Sequence, residues 1–323
     1  MTITVPQFKY APQETSWLTR DALLFASSIG CRARDGLHFL YELHPNFQVF
    51  PTYPIVLTFK HTSLSTVDFL ARNAVRTLPP GCPPLDWSVA VDGRRRMTFV
   101  KPLPPSSEGK TFEIHSKVLG VFDKGKGKGS VMELEHVLKQ KESGEVYTRA
   151  WESAFFKGTG GWGGERGSKI IRYPPPSPSR HPDAASIFQT NEETAHLYRL
   201  NGDYNPLHAT PEPGQALGYG GIIMHGLFSW NVAAQTVLSR FGKNEAKNLR
   251  DFEARFAAPV KPGDKLDILM WDMGLSEKVD IGRGSDRLRE IRFVVKVGET
   301  VVLSDGRALL DDDKVKGHVD SKL

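Results

Sequence analysis

The chain has 323 residues, enough for two ordinary domains or one large one. Its 39% hydrophobic and 24% charged content fits a water-soluble globular protein. A net charge of +5 leaves 42 basic residues scattered among 37 acidic ones, which indicates no nucleic-acid groove. No apolar run reaches bilayer-spanning length, and no signal-peptide pattern opens the chain.

Near the start, TRDALLFASSIG predicts a short helix capped by Asp21, burying Leu23, Leu24 and Ile29 and ended by Gly30. Cys31 and Cys82 show no CxxC or metal-ligand spacing. They read as free thiols in a reducing compartment, with a single bridge as the alternative. Three alternating runs, Thr111–Asp123, Ser130–Lys139 and Glu145–Phe156, predict an antiparallel meander turned by KGKGKGS and ESGE. Gly120 to Lys126 matches a phosphate-binding loop by letters. Gly127 replaces the required Ser or Thr, and the stretch lies between strands, so a hairpin turn is the reading.

Gly158 to Gly163 matches GxGxxG, but no helix follows. It reads as an exit from the first half, with the Gly160 and Gly161 amides as candidates to line the path of a phosphate-bearing ligand. A Pro- and Ser-rich linker covers roughly Glu165–Ser186, unable to pair in a sheet or continue a helix. This divides the chain into 1–164, a linker 165–188, a second half 189–310 and a tail 311–323.

The second half opens with a helix started by a Thr190/Glu193 capping box and stopped at Asn201-Gly202. A second helix runs from about His225 to Phe241, with Leu227, Trp230, Ala234, Val237, Leu238 and Phe241 on one stripe. Strands follow at Asp251–Pro259, Lys265–Asp272, Arg287–Val297 and Thr300–Leu310. One apolar helix followed by antiparallel strands predicts an α+β fold, a sheet wrapped round a buried helix.

Between the two helices the chain places Asp203, Asn205 and His208 within six residues, stiffened by Pro206. By themselves an aspartate and an asparagine after a glycine are turn formers. Here His225-Gly226 and a helix start lie close behind. A carboxylate, an amide and an imidazole on one loop can hold and activate a water. A glycine amide at a helix start can receive a developing negative charge. Asp203, His208 and His225 show neither HxxxH nor HExxH spacing and no cysteine joins them, so no metal is predicted. The chain ends in Ser321-Lys322-Leu323, a receptor-read peroxisomal address, which predicts a peroxisomal protein that meets the import receptor.

The motif Tyr198 followed by Gly202-Asp203-Tyr204-Asn205-Pro206-Leu207-His208 and Met224-His225-Gly226-Leu227 resembles the hydratase 2 family. These are MaoC-like (R)-specific enoyl-CoA hydratases, found in peroxisomal multifunctional enzymes. Tyr41 to Pro45, Pro51-Thr52, Lys101 to Pro105 and Gly160 to Gly164 extend the resemblance into the first half, so it covers roughly Leu24–Leu310. It implies a double hotdog, each half a long helix wrapped by an antiparallel sheet, with the first half degenerate and making room for the acyl chain. By the same resemblance Asp203 and His208 are the catalytic pair and Asn205 orients loop and water. Gly226 donates to the thioester oxygen, and Tyr198, Gly202 and His225 join Gly160 and Gly161 in binding substrate. The implied reaction converts trans-2-enoyl-CoA to (3R)-3-hydroxyacyl-CoA in β-oxidation or a specialised pathway, with no cofactor beyond the thioester itself. The implied assembly is a homodimer. Thioester hydrolysis and non-catalytic acyl-CoA binding are the alternatives. Asn201, Gly214, Ile222 and Asp92-Gly93-Arg94-Arg95, the last in place of the family's His-Gly-Glu-Gln, depart from the pattern and point to an altered acyl pocket.

Overall fold

Residues 2–74, 77–87, 90–167, 171–277, 279–281 and 285–311 are described by the computed structural model; the Ser321-Lys322-Leu323 address lies outside them. The strands are β1 (Phe8–Lys9), β2 (Gln13–Thr15), β3 (Ala90–Phe99), β4 (Phe112–Asp123), β5 (Gly129–Gln140), β6 (Val146–Lys157), β7 (Ala184–Gln189), β8 (Leu249–Phe256) and β9 (Lys265–Leu275). They continue with β10 (Val279–Asp280), β11 (Ser285–Asp286), β12 (Arg289–Val297) and β13 (Thr300–Leu310). The helices are α1 (Thr19–Ser28), α2 (Ala33–Gly36), α3 (Leu57–Lys60), α4 (Phe69–Ala74), α5 (Thr194–Arg199), α6 (Pro211–Ala216) and α7 (Gly226–Phe241).

Eleven strands form one sheet in the order β1-β4-β5-β6-β3-β8-β13-β12-β9-β7, with β2 also on β4; β10 and β11 make a separate pair. The first half thus contributes β4-β5-β6-β3 and the second β8-β13-β12-β9-β7. They fuse where β3 pairs antiparallel with β8, Arg96 opposite Glu253 and Thr98 opposite Asp251. Side chains reinforce that seam: Arg96 Nε donates to both Asp251 oxygens at 3.0 and 3.1 Å, and Arg94 pairs with Glu253.

Alternation sets each inner face. On β5, Met132, Leu134 and Leu138 point inward and are buried, as the period of two requires. The predicted β4–β5–β6 meander forms, with Val121 opposite Met132 and Leu134 opposite Glu152, and KGKGKGS is the hairpin turn. In the second half the sheet curls round α7. Leu227 through Ala234 and Thr236 to Leu238 are all buried, so this helix is covered on every side rather than on one stripe. The helix of the first half is shorter, ten residues against sixteen.

Four expectations are corrected. In α1, Phe25 and Ala26 take the core while Leu23 and Leu24 are only half-buried, because Phe25 packs edge-on against Tyr53 and beside Phe50. Asp21 does cap, but from the third helical position, accepting from Leu18 N at 2.9 Å. The Thr190/Glu193 capping box does not form. The Thr190 hydroxyl donates to Asp264 O at 2.7 Å, and α5 begins only at Thr194. Finally, the tail of the predicted linker is a strand: Ala184 to Gln189 pair with Met270 to Lys265 along the sheet edge. An edge needs pairing on one side only, which a segment just past a proline-rich stretch can supply.

Candidate active site

The loop after α5 is shaped by its own side chains. Asp203 Oδ1 accepts from Asn205 N at 3.2 Å, and Asn205 Oδ1 accepts from Leu207 N at 3.0 Å. Pro206 then opens a single 3-10 turn, Pro206–His208. Gly202, with φ of 125°, starts the loop. A Cβ there would lie 2.8–3.0 Å from Lys60 of the first half, so only glycine lets the two halves approach this closely.

The loop and the N-cap of α7 bring three groups to one place: a ligand-capable atom from each of Asp203, His208 and His225 lies within 4.8 Å of the others. His208 Nδ1 meets Ile223 O at 2.8 Å. A carbonyl only accepts, so that nitrogen carries the proton and Nε2 keeps its lone pair. His225 Nε2 donates to Asp203 O at 3.1 Å, and its ring stacks on His208 at 3.7 Å and 30°. The in-plane lone pairs of stacked rings run side by side rather than converging. The trio therefore suits an acid–base pair with a scaffold histidine better than a metal centre.

Burial sets the charges. It pushes the Asp203 carboxyl up to about 6 and the His208 imidazole down to about 4. His225 is driven well below its usual value by burial and by His208 beside it. The ordinary order is inverted: in this pair the carboxylate holds a proton more tightly than the imidazole.

Asp203, Asn205, His208, His225, Gly202 and Gly226 all line one cavity of about 770 Å³. Gly226 is the first residue of α7, where the amides of the first turn have no carbonyl a turn earlier to accept them. A Cβ at 226 would lie 3.0 Å from the Phe256 ring.

Three predicted binding residues lie elsewhere. Tyr198 is buried behind the cavity, its hydroxyl accepting from Asn231 Nδ2 at 3.0 Å and its ring against His225 and Phe228. It supports the site without lining it. Gly161 spends its amide on the protein's own Asp123, whose carboxylate also takes Gly125 N and Gly163 N, at 2.7, 2.7 and 2.9 Å. Those donors hold the Asp123 carboxyl down at about 2. Gly160 packs on Gly125 and Gly129, where no side chain would fit. The nest is real, but its anion is internal.

The sequence reading flagged Asp92 and Arg95 only as departures bearing on the acyl pocket, and it missed Ser116, His136 and Glu152; all five, from the first half, line the same cavity. The Asp92 carboxylate comes within 3.7 Å of where a Gly226 Cβ would stand, and burial raises its pKa despite Arg95. A register shift between Asp92 and Arg94 turns both Asp92 and Arg95 toward the cavity. The available signal was His136, a polar residue inside the inward row of Met132, Leu134 and Leu138.

A sheet wrapped on a central helix, twice in one chain, is a double hotdog. A conserved hypothetical protein of Mycobacterium tuberculosis described as a double hotdog fold matches 95% of this chain and 96% of its own, with TM-score 0.55 and 15% identity, a likeness of fold alone. A MaoC-like dehydratase from Phytophthora capsici superposes with TM-score 0.80 at 28% identity, over 96% of each chain. The MFE-2 hydratase 2 N-terminal domain model matches residues 16–158, and the MaoC like domain model matches 175–291. Probable dehydratase NIT22 of Ajellomyces capsulatus is 73% identical over 308 residues, 95% of this chain and 82% of that one. Probable enoyl-CoA hydratase 2 of Dictyostelium discoideum is 32% identical over 268 residues, 81% and 84% of the two chains. The chain belongs to the MaoC-like dehydratase and MFE-2 hydratase 2 family.

Proposed function

We propose that the chain reversibly hydrates a trans-2-enoyl-CoA to the (3R)-3-hydroxyacyl-CoA, with Asp203 and His208 as the catalytic pair. The reading is carried by one observation: a mostly buried carboxylate and a neutral imidazole sit within 4.8 Å of each other on a cavity that also contains the start of α7. His208 Nε2 takes a proton from a water that Asp203 holds, and the hydroxide adds to the β-carbon. The electron pair of the double bond moves toward the thioester oxygen, where the Gly226 amide and the α7 dipole stabilise it. The proton passes from His208 to Asp203, downhill because the carboxylate is the stronger base here, and then to the α-carbon. Water is thus added whole, and both groups return to their starting state. Asn205 fixes the loop, and His225 props Asp203.

No metal and no cofactor beyond the thioester enters this scheme. The peroxisomal address, import-receptor contact and homodimer belong to the same proposal. They rest on Ser321-Lys322-Leu323 and on the family resemblance. A tagged chain with and without Leu323 tests the first, and light scattering tests the last.

The activity is tested with purified protein and crotonyl-CoA. Loss of enoyl absorbance, a (3R) product on chiral analysis and no free thiol are expected. Release of CoA without hydration would replace the proposal with thioester hydrolysis. Binding with neither change would reduce the chain to an acyl-CoA carrier.

A further inference from the structure

Four neighbouring strands place polar residues on the inner face: Ser116 on β4, His136 on β5, Glu152 on β6, and Arg95 with Asp92 on β3. Register aligns them, with Ser116 opposite His136 and Arg95 opposite Glu152. They join into a chain of hydrogen bonds that reaches Asp92. Ser116 Oγ meets His136 Nδ1 at 2.8 Å and His136 Nε2 meets Glu152 Oε2 at 3.2 Å. Arg95 Nη1 donates to Glu152 Oε2 at 2.6 Å and Arg95 Nε to Asp92 Oδ1 at 2.8 Å. Arg95 is 3% exposed and His136 7%. All five line the cavity that holds Asp203 and His208.

A wall of this kind is costly against a hydrocarbon. An alkyl chain would displace water from carboxylate, imidazole and hydroxyl groups and return no hydrogen bond. A carboxylated chain fares no better against this band, because its arginine, Arg95, already lies between two acids. What fits is an uncharged group that both donates and accepts. We infer that this band is a subsite for a hydroxyl on the acyl chain, so that the preferred thioester carries an alcohol beyond its reacting carbons. The inference rests on the hydratase reading for its reaction but not for its binding.

The test compares isosteres: 5-hydroxypent-2-enoyl-CoA, hex-2-enoyl-CoA and the terminally carboxylated pent-2-enedioyl-CoA. At least a ten-fold higher kcat/KM for the hydroxylated substrate than for hexenoyl is expected, with the diacid poorest, since a site built to bond a hydroxyl rejects analogues that lack it. Ser116→Ala, a mild change on the cavity wall, is expected to shrink the hydroxyl-to-methyl ratio several-fold, and Glu152→Gln to shrink it further. A wild-type ratio of one or less overturns the inference. If the protein hydrates none of the three, the hydratase reading fails. The subsite is then read by calorimetry with saturated 5-hydroxypentanoyl-CoA and hexanoyl-CoA: tighter binding of the alcohol supports it, and equal or weaker binding overturns it.

Discussion

The two walls of the cavity use buried charge in opposite ways. On the first-half wall every acid is paired: Arg95 lies between Asp92 and Glu152, and His136 leans on Glu152. On the second-half wall the ionisable groups meet backbone rather than countercharge: His208 on Ile223 O, His225 on Asp203 O, Asp203 under Asn205 N. Pairing fixes a charge in place. Burial moves pKa values on both walls, raising Asp92 despite Arg95, but on the second wall it brings the Asp203 carboxyl up to about 6 while keeping His208 neutral, and that is where proton transfer becomes cheap. Inward positions of the sheet thus form a recognition surface on one side of the cavity, while the loop after α5 and the start of α7 supply the reactive groups on the other.

The contrast is broken most sharply at the reactive wall. Asp203→Asn and His208→Gln are each expected to lower kcat for crotonyl-CoA hydration by about 10²–10⁴-fold, with circular dichroism unchanged. Near-normal turnover in either variant would remove that residue from the mechanism. Gly226→Pro deletes the amide but keeps a residue favoured at a helix start, and the His225 ψ of 132° suits a following proline. With Phe256→Leu to make room, a loss of about 10²–10³-fold in kcat is expected beyond that of Phe256→Leu alone.

Stability gives the next test. Asp203 has its pKa raised on folding, so the stability it allows is greatest below its unfolded value of 3.8 and is lost as pH rises through about 6. Asp203→Asn escapes that loss. It is expected to stabilise by about 3 kcal/mol at pH 7 in urea titrations and by nothing below pH 3.8. His208 runs the other way: its contribution is present above 6.5 and lost as pH falls through about 4. A gain in Asp203→Asn that does not depend on pH would show that burial is not what raises this carboxyl. The smallest effect belongs to Asp123→Asn, which weakens the hold on Gly125, Gly161 and Gly163. It is expected to lower Tm while leaving kcat and KM for crotonyl-CoA in place.

What the sequence revealed followed sequence distance. Asp203, Asn205 and His208 are legible because one turn brings them together, and α7 is legible because Leu227 to Leu238 keep a helical period. Asp92, Arg95, His136 and Glu152 converge only through cross-strand register and the shift beside Gly93, neither of which has a local pattern. The glycine run misled for a related reason. GTGGWG announces amides that can hold an anion, but nothing local says that Asp123, 38 residues earlier than Gly161, will occupy them. Strand β7 escaped because its partner β9 lies far downstream of a proline-rich stretch.

The seam between β3 and β8 also has a cost in time. Arg96 and Asp251 are 155 residues apart, a stretch the ribosome takes roughly 8–30 s to make. Until β8 emerges, the nascent first half offers β3 as an open edge able to recruit a stranger's strand. Arg94 and Arg96 guard it: two like charges on a naked edge repel the same edge on a neighbouring polysome. Later they turn inward on Glu253 and Asp251, so the same side chains first keep the chain apart from others and then close it on itself. Replacing both with leucine should cut soluble yield before it lowers activity per folded molecule.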